Sequence, residues 1–274
     1  MINKIIKQLV EEFPKLAQFY RSSRDQMDRN QPAIRTPWGF KFSGHVAMAQ
    51  GKFEPEETEI IRKLLRDVDI FVNIGANVGY YCCHALSMGK PVIAIEPIAR
   101  NLHYLMRNIQ ENGWSESVQI FPVALGAKAN IMKMWGGSTG ASMVKGWAEI
   151  PESYVTQVPV LTLDCILQGN TLVDGKRVLM LVDVEGAEYA LLQGAAQSLC
   201  LEPRPIWMVE IGSTMHQPEG VKVNPHLVPT FEMFFKQGYV ATTADSVQVS
   251  VDSKYVHAVS EGTSEFSTHN FLFK

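Results

Sequence analysis

From residue 70 onward, short runs of apolar residues alternate with stretches that have helical periodicity. The apolar runs lie at 70–74, 92–95, 118–123, 178–182, 206–211 and 271–273, and the helical stretches lie at 80–88, 100–112 and 188–199. A strand that is apolar along its whole length is typical of a sheet that is buried on both faces. The sequence therefore predicts an α/β fold with a mostly parallel sheet and helices on both faces.

Two regions do not follow this alternation. Residues 1–21 have apolar positions at steps of three and four, which predicts an amphipathic helix, and residues 34–50 predict a hairpin. Residues 131–163 contain several glycines and then an alternating apolar run, which indicates a hairpin or lid inserted between two core strands. We expect an N-terminal helix and hairpin extension at 1–50, and one α/β domain at 51–274 that carries the insertion.

Composition and charge exclude several classes of protein. Hydrophobic residues make up 46% of the chain and charged residues 19%, which is typical of a folded globular protein rather than a disordered one. The chain has 25 Lys and Arg against 28 Asp and Glu, a net charge of −3, whereas nucleic-acid-binding domains are usually basic. We therefore expect no nucleic-acid partner.

The cysteines and the hydropathy pattern predict a cytoplasmic protein. The four cysteines form no C-x-x-C pair, so they indicate neither a zinc site nor a redox pair, and we expect buried free thiols in a reducing compartment. No apolar run approaches the ~20 residues that span a bilayer, so we expect no transmembrane segment. The first ten residues contain Lys4 and Lys7 and lack a small-residue cleavage site, which is not typical of a signal peptide.

A glycine-rich turn directly follows the first buried strand. Gly75 and Gly79 are separated by three residues, and a helical stretch begins at Tyr80. Glycines at such a turn allow a ligand to approach the backbone closely. The next strand ends in Glu96, 21 residues after Gly75, where a carboxylate can accept hydrogen bonds from ribose hydroxyls.

Two cofactor classes use a turn of this kind. A dinucleotide fold needs a glycine in the middle of the turn, so that the pyrophosphate can reach the helix N-terminus, but here Asn77 holds that position. S-adenosylmethionine has a ribose and no phosphate, so it needs the turn and the acid without the middle glycine. A nicotinamide-dependent sugar oxidoreductase stays open as an alternative, as does a plain turn beside a solvated Glu96.

Further candidate residues follow two later strands. Asp183 comes directly after the run 178–182, Glu185 lies two residues further on, and Glu210 ends the next strand. Ligands in open α/β sheets bind at such carboxyl ends. Close carboxylates raise one another's pKa, so Asp183 and Glu185 are candidate general bases, and Asp183 and Glu210 could hold a divalent cation such as magnesium. The alternative is that Asp183 and Glu185 only cap the following helix.

Other polar and aromatic residues could complete a catalytic site. His216 follows Glu210 by six residues in a polar loop, and a histidine side chain suits removal of a hydroxyl proton. The alternative is a surface histidine. Three tryptophans, Trp135, Trp147 and Trp207, could line an acceptor pocket or pack in the core, and residues 136–142 could cover a cofactor as a lid.

Several motifs in a fixed order resemble the FkbM-type S-adenosylmethionine-dependent methyltransferases. The resemblance covers about residues 45–274. The matching segments are NIGANVGY at 73–80, EP at 96–97, VALG at 123–126, LD at 163–164, LVDVEGAE at 181–188 with LQG at 192–194, PIWMVE at 205–210 and GY at 238–239.

The resemblance implies a Rossmann-like class I methyltransferase fold, a seven-stranded sheet whose last strand is antiparallel. It also implies O-methylation of a hydroxyl, often on a sugar, glycolipid or polyketide, so the acceptor is a small molecule or a glycan. Residues 51–274 would then be the methyltransferase domain. The residues that the resemblance assigns to the methionine and ribose side are Gly75, Asn77 and Gly79, with Glu96 on the ribose and Ala124 and Leu125 near the adenine.

Two positions depart from the family pattern. Asn73 stands where the family usually has Asp, so it brings no charge to the ammonium group of the cofactor. Either the cofactor binds less tightly or another acid supplies the charge. Leu181 stands where the family usually has Lys. These departures keep open a non-catalytic S-adenosylmethionine-binding protein, and the sequence also leaves a homo-oligomer open.

Overall fold

The computed structural model describes residues 31–137 and 139–274. The amphipathic helix predicted at 1–21 lies outside these residues. In chain order the strands are β1 (Ile34–Arg35), β2 (Lys41–Phe42), β3 (Ile70–Ile74), β4 (Val92–Ile95), β5 (Val118–Phe121), β6 (Ala124–Leu125), β7 (Asn130–Trp135), β8 (Val155–Leu161), β9 (Val178–Val182), β10 (Ile206–Glu210), β11 (Ala241–Thr243), β12 (Ser250–Val251) and β13 (Asn270–Phe273). The helices are α1 (Val46–Ala49), α2 (Pro55–Leu65), α3 (Tyr80–Ser87), α4 (Ala99–Glu111), α5 (Leu163–Leu167), α6 (Glu188–Gln193), α7 (Leu227–Lys236) and α8 (Ser253–Ser260).

The central sheet has the strand order β5-β4-β3-β9-β10-β13-β11-β12. The five strands from β5 to β10 run parallel to their neighbours, and β13 pairs antiparallel with both β10 and β11. The prediction of a mostly parallel sheet with an antiparallel last strand is therefore confirmed. The sheet has eight strands rather than seven because the turn after Thr243, held by the carboxylate of Asp245, returns the chain to the edge as the two-residue β12.

Helices cover the sheet on both faces. The central strands β3 and β9 are buried at every position, which agrees with their apolar sequence; the one polar residue among them is Asn73 of β3. Apolar residues of α2, α3 and α4 pack on one face, and apolar residues of α5, α6, α7 and α8 pack on the other. Each buried Leu, Ile or Phe side chain contributes about 1.5–3 kcal/mol, so these two layers hold the strand ends in fixed positions.

A second, three-stranded sheet lies beside the first. Strand β8 pairs antiparallel with β7 and parallel with β6. The strand predicted at 118–123 ends at Phe121 because the chain turns there, with the Val123 N–H bonded to the Phe121 carbonyl, and continues into the second sheet as β6. The helix predicted at 188–199 is likewise shorter, since α6 ends at Gln193.

The hairpin of β1 and β2 packs on the helices that follow the glycine turn. Phe40 and Phe42 are buried against Tyr80 and Tyr104. The side-chain amide of Asn108 joins α4 to the end of the hairpin. Its Oδ1 accepts from the Ser43 N–H at 2.8 Å, and its Nδ2 donates to the Ser43 carbonyl at 3.0 Å. The hairpin therefore forms one wall of the region around the turn.

The free cysteines differ from the prediction in their exposure. Cys82 and Cys83 are buried as expected, but Cys165 and Cys200 are exposed, because one lies on the outer side of α5 and the other at the end of a surface turn. Within the described ranges, no helix combines the length and the apolar character that a membrane crossing needs.

Candidate active site

The candidate residues of the sequence meet at one edge of the central sheet. Gly75 follows β3, Glu96 follows β4, Asp183 follows β9, and Glu210 ends β10. The strands are parallel neighbours, so their carboxyl ends lie side by side, and the Asp183 N–H donates to the carbonyl of Ile74 at 3.0 Å. The tertiary fold thus brings together residues that are more than one hundred positions apart.

The turn after β3 is built for close packing. Gly75 has a φ of +83°, and a Cβ at this position would collide with the backbone carbonyl of Asp183. Gly79 has a φ of +85°, and a Cβ there would meet the side chain of Leu105. Both conformations are strained for residues other than glycine. Gly75 therefore lets the turn lie directly against the end of β9, and Gly79 lets it lie against α4.

Residues of this turn line two cavities, and a third cavity shares Glu185 with one of them and Glu210 with the other. The Glu96 cavity has a volume of about 530 Å³, and its lining includes Gly75, Asn77, Glu96, Ala124, Leu125, Asp183 and Glu185. The Glu54 cavity, also about 530 Å³, is lined by residues that include Glu54, Asn73, Gly75, Asn77, Tyr81, Asp183 and Glu210. The His216 cavity is smaller, about 280 Å³, and its lining includes Trp147, Glu185, Glu188, Glu210, His216 and His269.

Glu96 is buried and fixed by three donors. Its side chain is only 4% exposed, so the alternative of a solvated Glu96 is wrong. Oε2 accepts from the Asn77 N–H at 2.8 Å, and Oε1 accepts from the Ile98 N–H at 2.7 Å and from Asn101 Nδ2 at 3.3 Å. A carboxylate has about four acceptor positions, so about one is left on Oε2. Burial raises the pKa of Glu96 to about 7, although the three donors oppose this shift.

The other end of the Glu96 cavity is apolar. Ala124 and Leu125 are 5% and 2% exposed, and they line the cavity together with Ile98 and Val123. Met143 of the segment between β7 and β8 lines the same cavity. An apolar slot beside one fixed carboxyl group suits a flat base joined to a ribose.

Asn73 and Leu181 line the Glu54 cavity. Asn73 is 2% exposed, and its Nδ2 donates to Sγ of Cys82 at 3.4 Å. Leu181 is 5% exposed and packs with the core beneath the cavity. Neither residue brings a charge to this part of the site.

The acids after β9 and β10 lie where the cavities join. Asp183 lines the Glu96 and Glu54 cavities, and its Oδ1 is buried without a hydrogen-bond partner among the described residues. Burial, and then the charges of Glu210 and Glu185, raise the pKa of Asp183 well above its ordinary value. Burial and the neighbouring acids raise the pKa of Glu210 to about 8. Both carboxyl groups thus hold their protons more tightly than exposed acids do.

Glu185 is already bonded to the segment that covers the site. Its Oε2 accepts from Nε1 of Trp147 at 2.7 Å, and its backbone carbonyl accepts from Oγ of Ser142 at 2.5 Å. Burial raises the pKa of Glu185, while the Trp147 bond and the charges of His216 and His269 oppose the shift. Glu185 therefore anchors this segment, whose residues Thr139, Ala141 and Met143 line the Glu96 cavity.

His216 is exposed and lies apart from Asp183. It shares its cavity with Glu185 and Glu210, whereas Asp183 does not line that cavity. Its carbonyl accepts from the Ala148 N–H at 2.9 Å, and its ring lies 5.9 Å from that of Trp147. Of the three tryptophans, Trp147 therefore lies in the site, whereas Trp207 is fully buried in the core.

Several site residues carry no signal in the sequence pattern. Glu54 and Tyr81 line one cavity, His269 lines another, and Asn101 donates to Glu96. Asn101 and Tyr81 could have been found, because they lie in the first turns of the helices that follow Glu96 and the glycine turn. The others reach the site through the tertiary fold alone.

The expected cation site is not supported. Among residues 31–137 and 139–274, no three His, Cys, Asp or Glu side chains are grouped so that they could hold a metal ion. Asp183 and Glu210 do approach each other, but as carboxyl groups with raised pKa values rather than as part of a ligand set.

Two solved methyltransferase structures are similar to this chain. A methyltransferase FkbM structure from Methylobacillus flagellatus KT superposes with a TM-score of 0.44 at 16% identity, covering 76% of this chain and 44% of that longer chain. An O-methyltransferase from Bacillus cereus, in complex with SAH, superposes with a TM-score of 0.47 at 12% identity, covering 82% of this chain and 83% of that chain. No curated protein matches the sequence.

A family model gives the decisive match. Residues 73–240 match the methyltransferase FkbM domain. The matched range is more than half of the chain, and it runs from the end of β3 to the residue before β11, so it includes Gly75, Glu96, Asp183 and Glu210. The chain therefore belongs to the FkbM family of S-adenosylmethionine-dependent methyltransferases.

Proposed function

We propose that this methyltransferase transfers the methyl group of S-adenosylmethionine to a hydroxyl of a small molecule or glycan, with Asp183 as the general base. The observation that carries the proposal is the buried Oδ1 of Asp183, which has no hydrogen-bond partner among the described residues and lines two adjoining cavities. A buried acceptor without a donor is costly, which favours a site whose missing donor comes from a ligand.

The residues around the turn fit the cofactor. Glu96 offers an acceptor to the ribose, Ala124 and Leu125 offer an apolar surface to the adenine, and Gly75 and Asn77 line both larger cavities, where a ligand would pass from one to the other. When bound, the cofactor supplies a methyl carbon made electrophilic by its sulfonium. The protein therefore has two tasks, alignment of the acceptor and removal of its proton.

The raised pKa of Asp183 suits the second task. A general base works best when its pKa lies near the operating pH, because it is then both available and strong enough to accept a proton. A cationic ligand beside Asp183 and Glu210 favours their ionised forms, since opposite charges lower the pKa of a carboxyl group. Asp183 would then take the hydroxyl proton, while Glu185 stays bonded to Trp147.

Membership of the methyltransferase family overturns the alternative of a nicotinamide-dependent oxidoreductase. An experiment distinguishes an active methyltransferase from the remaining alternative, a non-catalytic S-adenosylmethionine-binding protein. We expect transfer of a labelled methyl group to a member of a panel of hydroxyl-bearing sugars, glycolipids and polyketides. A protein that binds S-adenosylhomocysteine but methylates none of them, nor any other hydroxyl compound, would be a binder.

The role of Asp183 is tested with Asp183→Asn. We expect it to abolish transfer while the affinity for S-adenosylhomocysteine stays within about threefold, because the change affects the acceptor rather than the cofactor. The matched control is Asp174→Asn, an exposed acid in the loop before β9, which should keep full turnover. Full turnover in Asp183→Asn would contradict this assignment.

A further inference from the structure

We infer that Glu54 supplies the negative charge that binds the α-ammonium group of the cofactor's methionine moiety, in place of the acid that is absent at Asn73. Glu54 precedes α2, outside the residues that match the family model. The inference rests on the proposed binding of S-adenosylmethionine and is independent of the acceptor's identity.

The two larger cavities adjoin at the glycine turn. Gly75, Asn77 and Asp183 line both of them. A ligand whose ribose is bonded to Glu96 has its adenine on the side of Ala124, so its amino-acid end extends past the turn toward the other cavity. Glu54 and Asn73 line that second cavity.

The second cavity is acidic and has no basic side chain of its own. Four carboxyl groups line it, and neither Lys nor Arg does so among the described residues; the four are Glu54, Glu57, Asp183 and Glu210. The unpartnered Oδ1 of Asp183, which we assign to the acceptor hydroxyl, is an independent sign that a ligand binds in this region. An excess of carboxyl groups without a basic side chain suits a cationic ligand group.

Asn73 does not supply a negative charge to the ammonium group. It is neutral, it is 2% exposed, and its amide donates to Sγ of Cys82. Glu210 is a weaker candidate for a permanent charge, because burial raises its pKa to about 8, and Asp183 is assigned to the acceptor hydroxyl.

Glu54 is held in place for the role. The hydroxyl of Tyr81 donates to Oε2 of Glu54 at 2.7 Å. Burial and the nearby Glu54 raise the pKa of Tyr81, so this hydroxyl stays protonated and remains a donor. Glu54 is exposed to solvent, but partial desolvation still raises its pKa, while the Tyr81 bond opposes the shift. One carboxylate oxygen is thus fixed by Tyr81, and the other is available to an ammonium group.

The test compares two ligands that differ only at the amino-acid end. S-adenosylhomocysteine carries the α-amino acid, whereas 5′-methylthioadenosine has the same adenosine and a thioether but no ammonium group. We expect Glu54→Gln to weaken S-adenosylhomocysteine binding by about tenfold in calorimetry and to leave 5′-methylthioadenosine binding unchanged. Tyr81→Phe should give a smaller loss with the same ligand selectivity.

Glu56→Gln is the matched control. Glu56 lies in the first turn of α2, but its carboxylate accepts from the Ser246 N–H at 2.7 Å, away from the cavity. The Glu56→Gln variant should leave the affinities for S-adenosylhomocysteine and 5′-methylthioadenosine unchanged. Unchanged S-adenosylhomocysteine binding in Glu54→Gln, an equal loss for both ligands, or a selective loss in Glu57→Gln instead would overturn the inference. Failure of the unmodified protein to bind either ligand would overturn the cofactor assignment itself, and the inference with it.

Discussion

The backbone N–H of Asn77 donates a 2.8 Å hydrogen bond to Oε2 of Glu96. This bond joins the turn after β3 to the end of β4, so the turn and the acid form one unit. The N–H of Ile98 and the amide of Asn101 fix the other carboxylate oxygen. Burial raises the pKa of Glu96 to about 7 against these three donors, which brings the titration of the carboxyl group into the physiological range.

Cofactor binding should therefore depend on pH through Glu96. Ribose hydroxyls donate to the ionised carboxylate, so binding favours deprotonation. We expect the affinity for S-adenosylhomocysteine to be constant above pH of about 7 and to fall by up to about tenfold per pH unit below it. Calorimetry between about pH 5.5 and 8.5, in buffers that differ in ionisation enthalpy, measures both the affinity and the proton released.

The control for this prediction is Glu96→Gln. The amide keeps the shape of the side chain but has no titration in this range. Above pH of about 7 the variant should bind S-adenosylhomocysteine less tightly than the wild type does. Its affinity should also lack the pH dependence that Glu96 causes. A wild-type affinity that does not change between pH 6 and 8 would contradict the role of Glu96.

Gly75 should be intolerant of any side chain. A Cβ there would collide with the backbone carbonyl of Asp183, which cannot rotate away, and the φ of +83° adds about 1–2 kcal/mol of strain. We expect Gly75→Ala to lower the free energy of unfolding by more than about 3 kcal/mol, measured by denaturant titration, and to abolish S-adenosylhomocysteine binding.

Gly89→Ala separates strain from collision. Gly89 has a similar φ of +74°, but a Cβ there meets no atom within 4 Å. This variant should lose only about 1–2 kcal/mol and keep its ligand affinity. Equal losses in the two variants would show that the contact with Asp183 does not matter.

Much of the central fold could be predicted from the sequence. Strand β9 is apolar at every position and β3 at every position except Asn73, and the turn at Gly75 with Glu96 after the next strand is a local pattern. The edge strands could not be predicted in this way. Strand β12 has only two residues and depends on the Asp245 turn, and β11 has three.

The candidate site was predictable only in part, for a physical reason. Asp183 and Glu210 stand at strand ends, so the parallel topology alone brings them together. Glu54 and His269 reach the same region from a helix start and from the loop before β13, and no periodic pattern marks such approaches. The bond between Trp147 and Glu185 likewise depends on how the second sheet packs on the first.

The acidic cluster should make stability depend on pH. Glu210 has an ordinary pKa of 4.5, and burial among acids raises it to about 8 in the folded protein. Between these values the folded state holds a proton that the unfolded state has lost, so the free energy of unfolding falls as the pH rises from about 4.5 to about 8. We expect the protein without ligand to have a lower Tm at pH 8 than at pH 6.

Neutralising one member of the cluster should reduce this loss of stability at high pH. We expect Glu210→Gln to stabilise the protein by on the order of 1–2 kcal/mol at pH 8 and by less at pH 6, because the neutral amide never ionises. Denaturant titrations at the two pH values measure the difference. A stabilisation that is equal at both values, or a loss at pH 8, would mean that the charge of Glu210 is not the cause.

The last prediction concerns a metal ion. Asp183 and Glu210 are the ligands that the sequence suggests, but the described residues offer no group of three His, Cys, Asp or Glu side chains that could hold a metal ion. We expect methyl transfer to persist after treatment with EDTA and dialysis, and added magnesium to leave the rate unchanged. Under the same conditions Asp183→Asn should be inactive, because a carboxylate that accepts the proton directly has no substitute.

A loss of activity with EDTA that magnesium restores would instead assign Asp183 to a cation. In that case the affinity for magnesium, measured by calorimetry, should fall in both Asp183→Asn and Glu210→Gln, whereas direct base catalysis predicts no magnesium binding in either the wild type or the variants.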